Sequence, residues 1–259
     1  MDSAPLITDI RDGIATLTLN RPEVYNAFNE ALSQAMLDAL RQCARDTTVR
    51  VIVLTGAGAA FCSGQDLKDT QGRPRSLGDS VERRYNPMIR LIRQTEKPFV
   101  CRLNGVAAGA GASLALACDY VVAADTARMV WAFVNIGLVP DSGSSWFLPR
   151  LAGHRKAFEL LTLGDKITAA QALALGLVNE VVAPEALDAA VAQVAARYAA
   201  APPRAVGLIK RMLNRSFESS LDQMLDLEKF SQETAGRTRD YQEGVQAFIE
   251  KRKAVFTGE

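Results

Sequence analysis

Histidine is nearly missing, with one residue, His154, in a chain of 259. It follows Gly153 in "RLAGHRKAFE" and opens a helical pattern, which is a surface or capping position. A Ser-His-Asp or Cys-His site would have to be built on that one residue. HExxH and other histidine-rich metal sites are excluded outright. No metal site is therefore expected, and acid–base chemistry falls to carboxylates, lysine, tyrosine or cysteine. Cysteine is sparse too. Cys43, Cys62, Cys101 and Cys118 show no CxxC or other ligand spacing, so they read as reduced thiols of a cytoplasmic protein. An excess of one charge is also lacking: 30 basic residues against 29 acidic ones leave +1, so no overall field invites nucleic acid or an anionic membrane. No apolar run approaches ~20 residues, so a membrane span is not expected. The opening "MDSAPLITDI" has neither a charged n-region nor an apolar h-region, so a signal peptide is not expected either.

What is present suits one large domain, or one domain with an appendage: 48% hydrophobic residues supply ample core material. "LITDIRDGIATLTLNRP" reads as a hairpin around Asp12-Gly13, a strong turn dipeptide. "NEALSQAMLDALRQCARD" reads as a helix with Asn29 as N-cap and Leu32, Met36 and Leu40 on one face. "VRVIVLTG" (49–56), "PFVCRLNG" (98–105) and "DYVVAA" (119–124) read as buried strands. Between the last two, "VAAGAGASLALAC" offers a tightly packed helix, which makes an α/β unit. From Arg155 onward the pattern is helical, broken only by "LVNEVVA" (177–183). The expected division is an α/β core over 1–200 and a helical region over 201–259, with no internal repeat.

Three stretches can carry chemistry. "NGVAAGAGASLA" follows a strand and precedes a helix, but a GxGxxG fingerprint from Gly109 needs glycine where Leu114 stands. No redox dinucleotide is therefore expected. The stretch offers either close helix packing or free N–H groups for an oxyanion. "GAGAAFCSGQDLKD" (56–69) is a second small-residue strand exit, either a plain turn or a partner to the first. Two such turns after adjacent strands could aim two N–H groups at one thioester oxygen. The third, "GLVPDSGSSW" (137–146), sets Asp141 just before an apolar run, as a helix cap or as the reacting group.

Together these stretches resemble the crotonase (enoyl-CoA hydratase/isomerase) superfamily. "LNRPEVYNAFN", "VIVLTGAGAAFCSGQDL", "NGVAAGAGASLALACD", "GLVPDSGSSWFLPRLAG", "TAAQALALGLVNEVV" and the closing "AFIEKRKAVF" stand in the family's order over nearly the whole chain. The resemblance implies an α/β fold built as a spiral of ββα units, with a C-terminal helical region used in trimerisation. It implies an acyl-CoA substrate, so coenzyme A arrives as part of the substrate and no separate cofactor is needed. It also implies self-association as a homotrimer or hexamer. The family's oxyanion hole falls on the N–H groups of Gln65 and Ala110. Contacts to CoA fall on Val24, Ala27, Gln65, Asp66 and Lys68, with Phe248 and Lys251 reaching a CoA, sometimes a neighbour's. The acyl pocket falls on Tyr85, Asn86, Ser113, Trp131 and Phe133.

The two glutamates that hydratases of this family use correspond here to Ser113 and Phe133, neither of which suits the proton transfers of hydration. "VPDSG" resembles the 1,2-epoxyphenylacetyl-CoA isomerase branch, where the matching aspartate moves protons while the thioester enolate is held; that implies Asp141 as the catalytic group. Dehalogenases of 4-chlorobenzoyl-CoA pair an aspartate here with tryptophan and histidine, and this sequence has Phe133 and Asn86 instead. A hydratase or double-bond isomerase for aliphatic chains is the alternative. A non-catalytic or RNA-binding relative is another, disfavoured by the absence of a basic stripe. A helix N-terminus would hold the Asp141 pKa down, and an apolar pocket would push it up.

Overall fold

Asp12 and Gly13 both adopt left-handed backbone, with φ of 50° and 77°. That is the two-residue turn whose twist matches paired strands, and it joins β1 (Leu6–Arg11) to an antiparallel β2 (Ile14–Leu19). The computed structural model describes residues 4–69 and 76–259. Helix α1 (Glu30–Arg45) follows, started by the Asn29 side chain, whose Oδ1 accepts from the Leu32 N–H at 2.9 Å. It buries Leu32, Met36, Leu37 and Leu40, the stripe expected of a 3.6-residue period. Next come β3 (Val51–Gly56), β4 (Ala60–Cys62), α2 (Leu77–Ser80), a π-helical turn (Val81–Tyr85) and α3 (Asn86–Gln94). The pattern then repeats with β5 (Phe99–Leu103), β6 (Val106–Ala108) and α4 (Ala110–Ala117). It continues with β7 (Tyr120–Ala124), β8 (Arg128–Val130), a 3-10 turn (Ala132–Ile136), α5 (Ser144–Ala152) and α6 (His154–Leu163). Last in the α/β part are β9 (Ile167–Thr168), α7 (Ala169–Ala174), β10 (Glu180–Val182) and α8 (Leu187–Ala199).

The strands separate into two sheets, ordered β1-β2-β3-β5-β7-β10 and β4-β6-β8-β9. Each of the pairs β3/β4, β5/β6 and β7/β8 places its first strand in the large sheet and its second in the small one. Helical structure then follows each pair. The result is a spiral of ββα units, a repeat of structure with no repeat of sequence. β3 is buried along its whole length, as parallel strands covered on both faces must be. Helix α4 is buried at all eight positions, and a Cβ on Gly111 would lie 2.3 Å from the Cys62 carbonyl oxygen. The small residues of "GAGASLALA" are thus demanded by close packing against β4. The four cysteines are all buried and free of disulfides. His154 is exposed at the start of α6.

From residue 203 onward the chain is helical: α9 (Pro203–Arg215), a 3-10 turn (Ser216–Glu218), α10 (Leu221–Gly236) and α11 (Arg239–Glu250). The tail returns to the α/β part. Asp240 accepts from the Thr257 and Gly258 N–H groups, and Arg50, just before β3, donates to the Phe256 and Thr257 carbonyls. Helix α10 buries only Ser231 and exposes Leu221, Leu225 and Phe230, while α11 exposes Tyr241, Phe248 and Ile249. Among the described residues, no helix is long and apolar enough to cross a membrane.

Candidate active site

The parallel pairing of β4 with β6 brings two strand exits side by side. After β4 the chain runs through Ser63, Gly64 and Gln65; after β6 it runs through Gly109 into α4. Phe28 donates its N–H to the Gly64 carbonyl at 2.7 Å and accepts from the Asp66 N–H at 2.9 Å. In a parallel ladder the residue between those two contacts directs its own N–H to the other side, so the Gln65 N–H points away from Phe28. Ala110 is the first residue of α4, and its N–H is one of those with no acceptor inside the helix. The turns meet at Gly64 (φ 91°), where a Cβ would stand 2.8 Å from the Ala108 carbonyl oxygen and 3.4 Å from the Ala110 nitrogen. Only glycine allows that approach.

Gln65 and Ala110 line a cavity of about 870 Å³, together with Tyr85, Asn86, Phe133 and Asp141. Its walls are mainly apolar, from Leu77, Val81, Phe133, Ile136, Leu138 and Val139. The Phe133 ring stands over Gly109, 3.7 Å from where a Cβ would be. Tyr85 sits at the end of the π-helical turn, the wider helical geometry often found at functional sites. Its ring packs edge-on against Phe28, and its hydroxyl donates to Gln65 Oε1. Burial, and next the negative charge of Asp141, push the Tyr85 phenol well above its ordinary range, so it stays protonated and donates.

Asp141 does not cap α5. The cap position is Gly143, in left-handed backbone at φ 83°, with no side-chain bond, and Asp141 contributes only its backbone carbonyl to the Ser144 N–H. Its carboxyl accepts one hydrogen bond, from the neighbouring Ser142 hydroxyl at 2.8 Å, and lies on the cavity wall. Burial pushes the carboxyl's pKa up, opposed by the Ser142 hydroxyl, and the burial outweighs that hydrogen bond. The cavity has a second carboxylate, Asp69, but Arg84 holds it at 3.3 Å, whereas no cation pairs with Asp141 among the described residues.

Two expected pocket residues lie elsewhere. Ser113 is fully buried in the second turn of α4, where its hydroxyl bonds back to the Gly109 carbonyl and to the Ser144 hydroxyl. It is not among the residues that line the cavity. Trp131 is also fully buried and does not line the cavity. The 3-10 turn that begins at Ala132 breaks the strand alternation that would have put residues 131 and 133 on one face. The position two residues on, Phe133, is the one that reaches the wall.

The two segments expected to contact CoA, around 24–27 and 65–68, do meet. Ser63 donates its N–H to the Tyr25 carbonyl and its hydroxyl to the Val24 carbonyl, tying 24–27 to the turn at 63–66. Arg21 cross-links them. It donates to the Ala27 carbonyl at 2.7 Å and pairs with Asp66 at 3.0 Å, so the Asp66 carboxylate is engaged in holding the turn. Lys68 is exposed beside it. Phe248, 85% exposed, and Lys251, which ends α11 at φ 56°, do not line the cavity of this chain. Arg21, Arg84 and Ser142 are site residues that sequence reasoning did not single out. The nearest signal was the adjacency of Ser142 to Asp141 in "VPDSG".

The enoyl-CoA hydratase/isomerase family profile matches residues 9–259. The chain belongs to this family. Among family members, a 1,2-epoxyphenylacetyl-CoA isomerase of Escherichia coli is 46% identical over 257 residues, covering 98% of each chain. A trans-2-decenoyl-[acyl-carrier-protein] isomerase of Streptococcus mutans is 34% identical over the full length of both. The crystal structure of an enoyl-CoA hydratase of Mycobacterium smegmatis superposes with a TM-score of 0.93 at 34% identity, covering 98% of this chain and 99% of that one. The chain is thus a crotonase-superfamily enzyme, with both isomerases and hydratases among its relatives.

Proposed function

We propose that the protein is a cytoplasmic acyl-CoA isomerase acting on 2-(1,2-epoxy-1,2-dihydrophenyl)acetyl-CoA in phenylacetate catabolism, with Asp141 as its acid/base. The observation that carries this reading is Asp141, the one carboxylate without a cation partner among the described residues of a cavity shared with the Gln65 and Ala110 N–H groups. With the thioester oxygen on those two donors, negative charge that develops when the α-carbon loses its proton is stabilised where it forms. Asp141 takes the proton and returns it to another carbon of the same acyl group, so no atom is gained or lost. Burial that pushes its pKa up makes it a stronger base for that task. The apolar walls and the Phe133 ring suit a cyclic, ring-bearing acyl group. The chemistry calls for no metal or redox cofactor.

For the CoA portion, the reading uses the turn held by Arg21, with Val24, Ala27, Gln65, Asp66 and Lys68 around it. Phe248 and Lys251 are assigned to a neighbouring copy's CoA, because in their own chain they stand away from the cavity. That assignment requires self-association as a homotrimer, or a hexamer of two trimers. The exposed apolar residues on α10 and α11, among them Leu221, Leu225, Phe230, Phe248 and Ile249, support it. Light scattering is expected to give a mass near three or six times that of the chain. A monomer at working concentration would contradict the assignment of Phe248 and Lys251.

The experiment that tests the activity is a comparison of epoxyphenylacetyl-CoA, a 3-enoyl-CoA and crotonyl-CoA as substrates. Isomerisation of the first is expected to dominate. Hydration of crotonyl-CoA should run below a tenth of that rate, because Phe133 has no titratable group and Ser113 is buried away from the cavity. A hydration rate matching the isomerase rate would mean that a second acid–base group works in this site. The second reading, a 3-enoyl to 2-enoyl isomerase of aliphatic chains, is favoured by the same single carboxylate, which could serve a proton shift along a chain equally well. Faster turnover of the 3-enoyl-CoA would select it.

A further inference from the structure

We propose that Ser142 is the positioning residue for Asp141, fixing which oxygen of the carboxyl is free to exchange a proton with the acyl group. This inference rests on the reading of Asp141 as the acid/base. Ser142 is one of few non-glycine residues with left-handed backbone, at φ 54°, and Gly143 follows it at φ 83°. Serine rarely adopts that conformation without a compensating contact. The compensation is visible. Two successive left-handed residues fold the chain back, so that the Ser142 hydroxyl, on a residue only 3% exposed, donates to Asp141 Oδ1 at 2.8 Å. No donor reaches Oδ2 among the described residues, so one oxygen is held and the other is left open.

The rest of the turn keeps this geometry in place. A Cβ at Gly143 would stand 2.7 Å from the Phe147 ring, and the Ser144 N–H holds the Asp141 carbonyl at 3.1 Å. Ser142 does not serve as a cap of α5, which begins without any side-chain cap bond. Its hydroxyl is thus committed to the carboxylate. Among the described residues, the other titratable or charged groups around the cavity are Tyr85, whose hydroxyl bonds Gln65, and the Arg84–Asp69 pair. On the far side of Val139 and Pro140, His154 lines an adjoining groove, and on α5 Arg150 lies over the Trp146 ring. None of them replaces the Ser142 contact.

A hydroxyl that donates to a carboxylate favours its ionised form, so removing it should move Asp141 titration to higher pH. Two variants separate this role from a purely structural one. Ser142→Ala keeps the left-handed strain and loses the hydroxyl; Ser142→Gly loses both. Both should lose turnover by about tenfold, the scale of one hydrogen bond to a charged group, with KM little changed. Both should also move the acid limb of the kcat/KM profile to higher pH. Thermal stability should instead divide them, with the glycine variant melting above the alanine variant. An acid limb that stays in place in both variants overturns the proposal, as does a loss of turnover confined to the less stable alanine variant. Asp141→Asn, assayed alongside, keeps the two questions apart. If it retains activity, the acid/base reading fails. If it is inactive while both Ser142 variants match the parent, only the positioning role fails.

Discussion

Asp141→Asn is expected to fold as the parent does, to bind acyl-CoA esters, and to lose turnover by roughly 10²–10⁴-fold, the usual worth of a positioned proton-transfer group. Asparagine keeps the size of the side chain and an acceptor for the Ser142 hydroxyl, so the turn at 141–144 has no reason to rearrange. The cap of α5 is Gly143, so no helix-capping energy is at stake. Stability should move in the opposite direction to activity. Because burial raises the folded-state pKa of Asp141, its carboxylate weakens the native state once ionised. This group's contribution is fully present below its ordinary value of 3.8 and is lost as pH rises through the raised value. At neutral pH the variant should therefore melt no earlier than the parent, and the gap between the two should close in acid. A folded variant that keeps more than about a tenth of the parent's turnover would sink the assignment of Asp141.

Long-period features of this fold could be read from the chain, and short or tertiary ones could not. The hairpin at Asp12-Gly13, the Asn29 cap and the buried strand β3 depend on local residue preferences, which the structure leaves in force. The second sheet was invisible because β4, β6 and β8 are three residues long, too short for alternation to register. β4 and β6 lie inside small-residue runs that read equally well as turns, although their parallel pairing is what brings Gln65 and Ala110 to one cavity. Asp141 was legible as a choice between cap and reacting group. Removing the cap reading required the backbone of Ser142 and Gly143, which no residue preference predicts. Trp131 and Ser113 were misplaced for a related reason. A 3-10 turn replaces strand alternation after β8, and a back-bonded serine stays inside its own helix. The Arg21–Asp66 pair joins residues 45 apart in sequence, beyond any local pattern.

Ala110→Pro tests the other half of the site. Proline deletes the backbone N–H without touching any side chain that contacts the acyl group, and Ala110 is the position where deletion should do least damage to the fold. It is the first residue of α4, where proline is tolerated because that N–H has no helical acceptor to lose. The preceding residue is Gly109, at φ 52° and ψ −124°, a conformation open to glycine because it has no Cβ, and that same lack leaves no Cβ for the proline ring to clash with. Circular dichroism and melting temperature should thus stay close to the parent's. Turnover should fall by roughly 10²–10³-fold, about 2.7–4 kcal/mol of transition-state stabilisation, as expected for one of two oxyanion donors. The remaining donor, the Gln65 N–H, keeps its direction through the Phe28 contacts on either side of it, so activity above the uncatalysed rate should remain. Combining Ala110→Pro with Asp141→Asn should cost less than the product of the separate losses. Once the enolate is poorly held, the base has less to gain from taking the proton, so the two groups act as a unit. A well-folded Ala110→Pro protein with unchanged turnover would mean that the thioester oxygen rests on other donors, and the two strand exits would then be joined for packing alone.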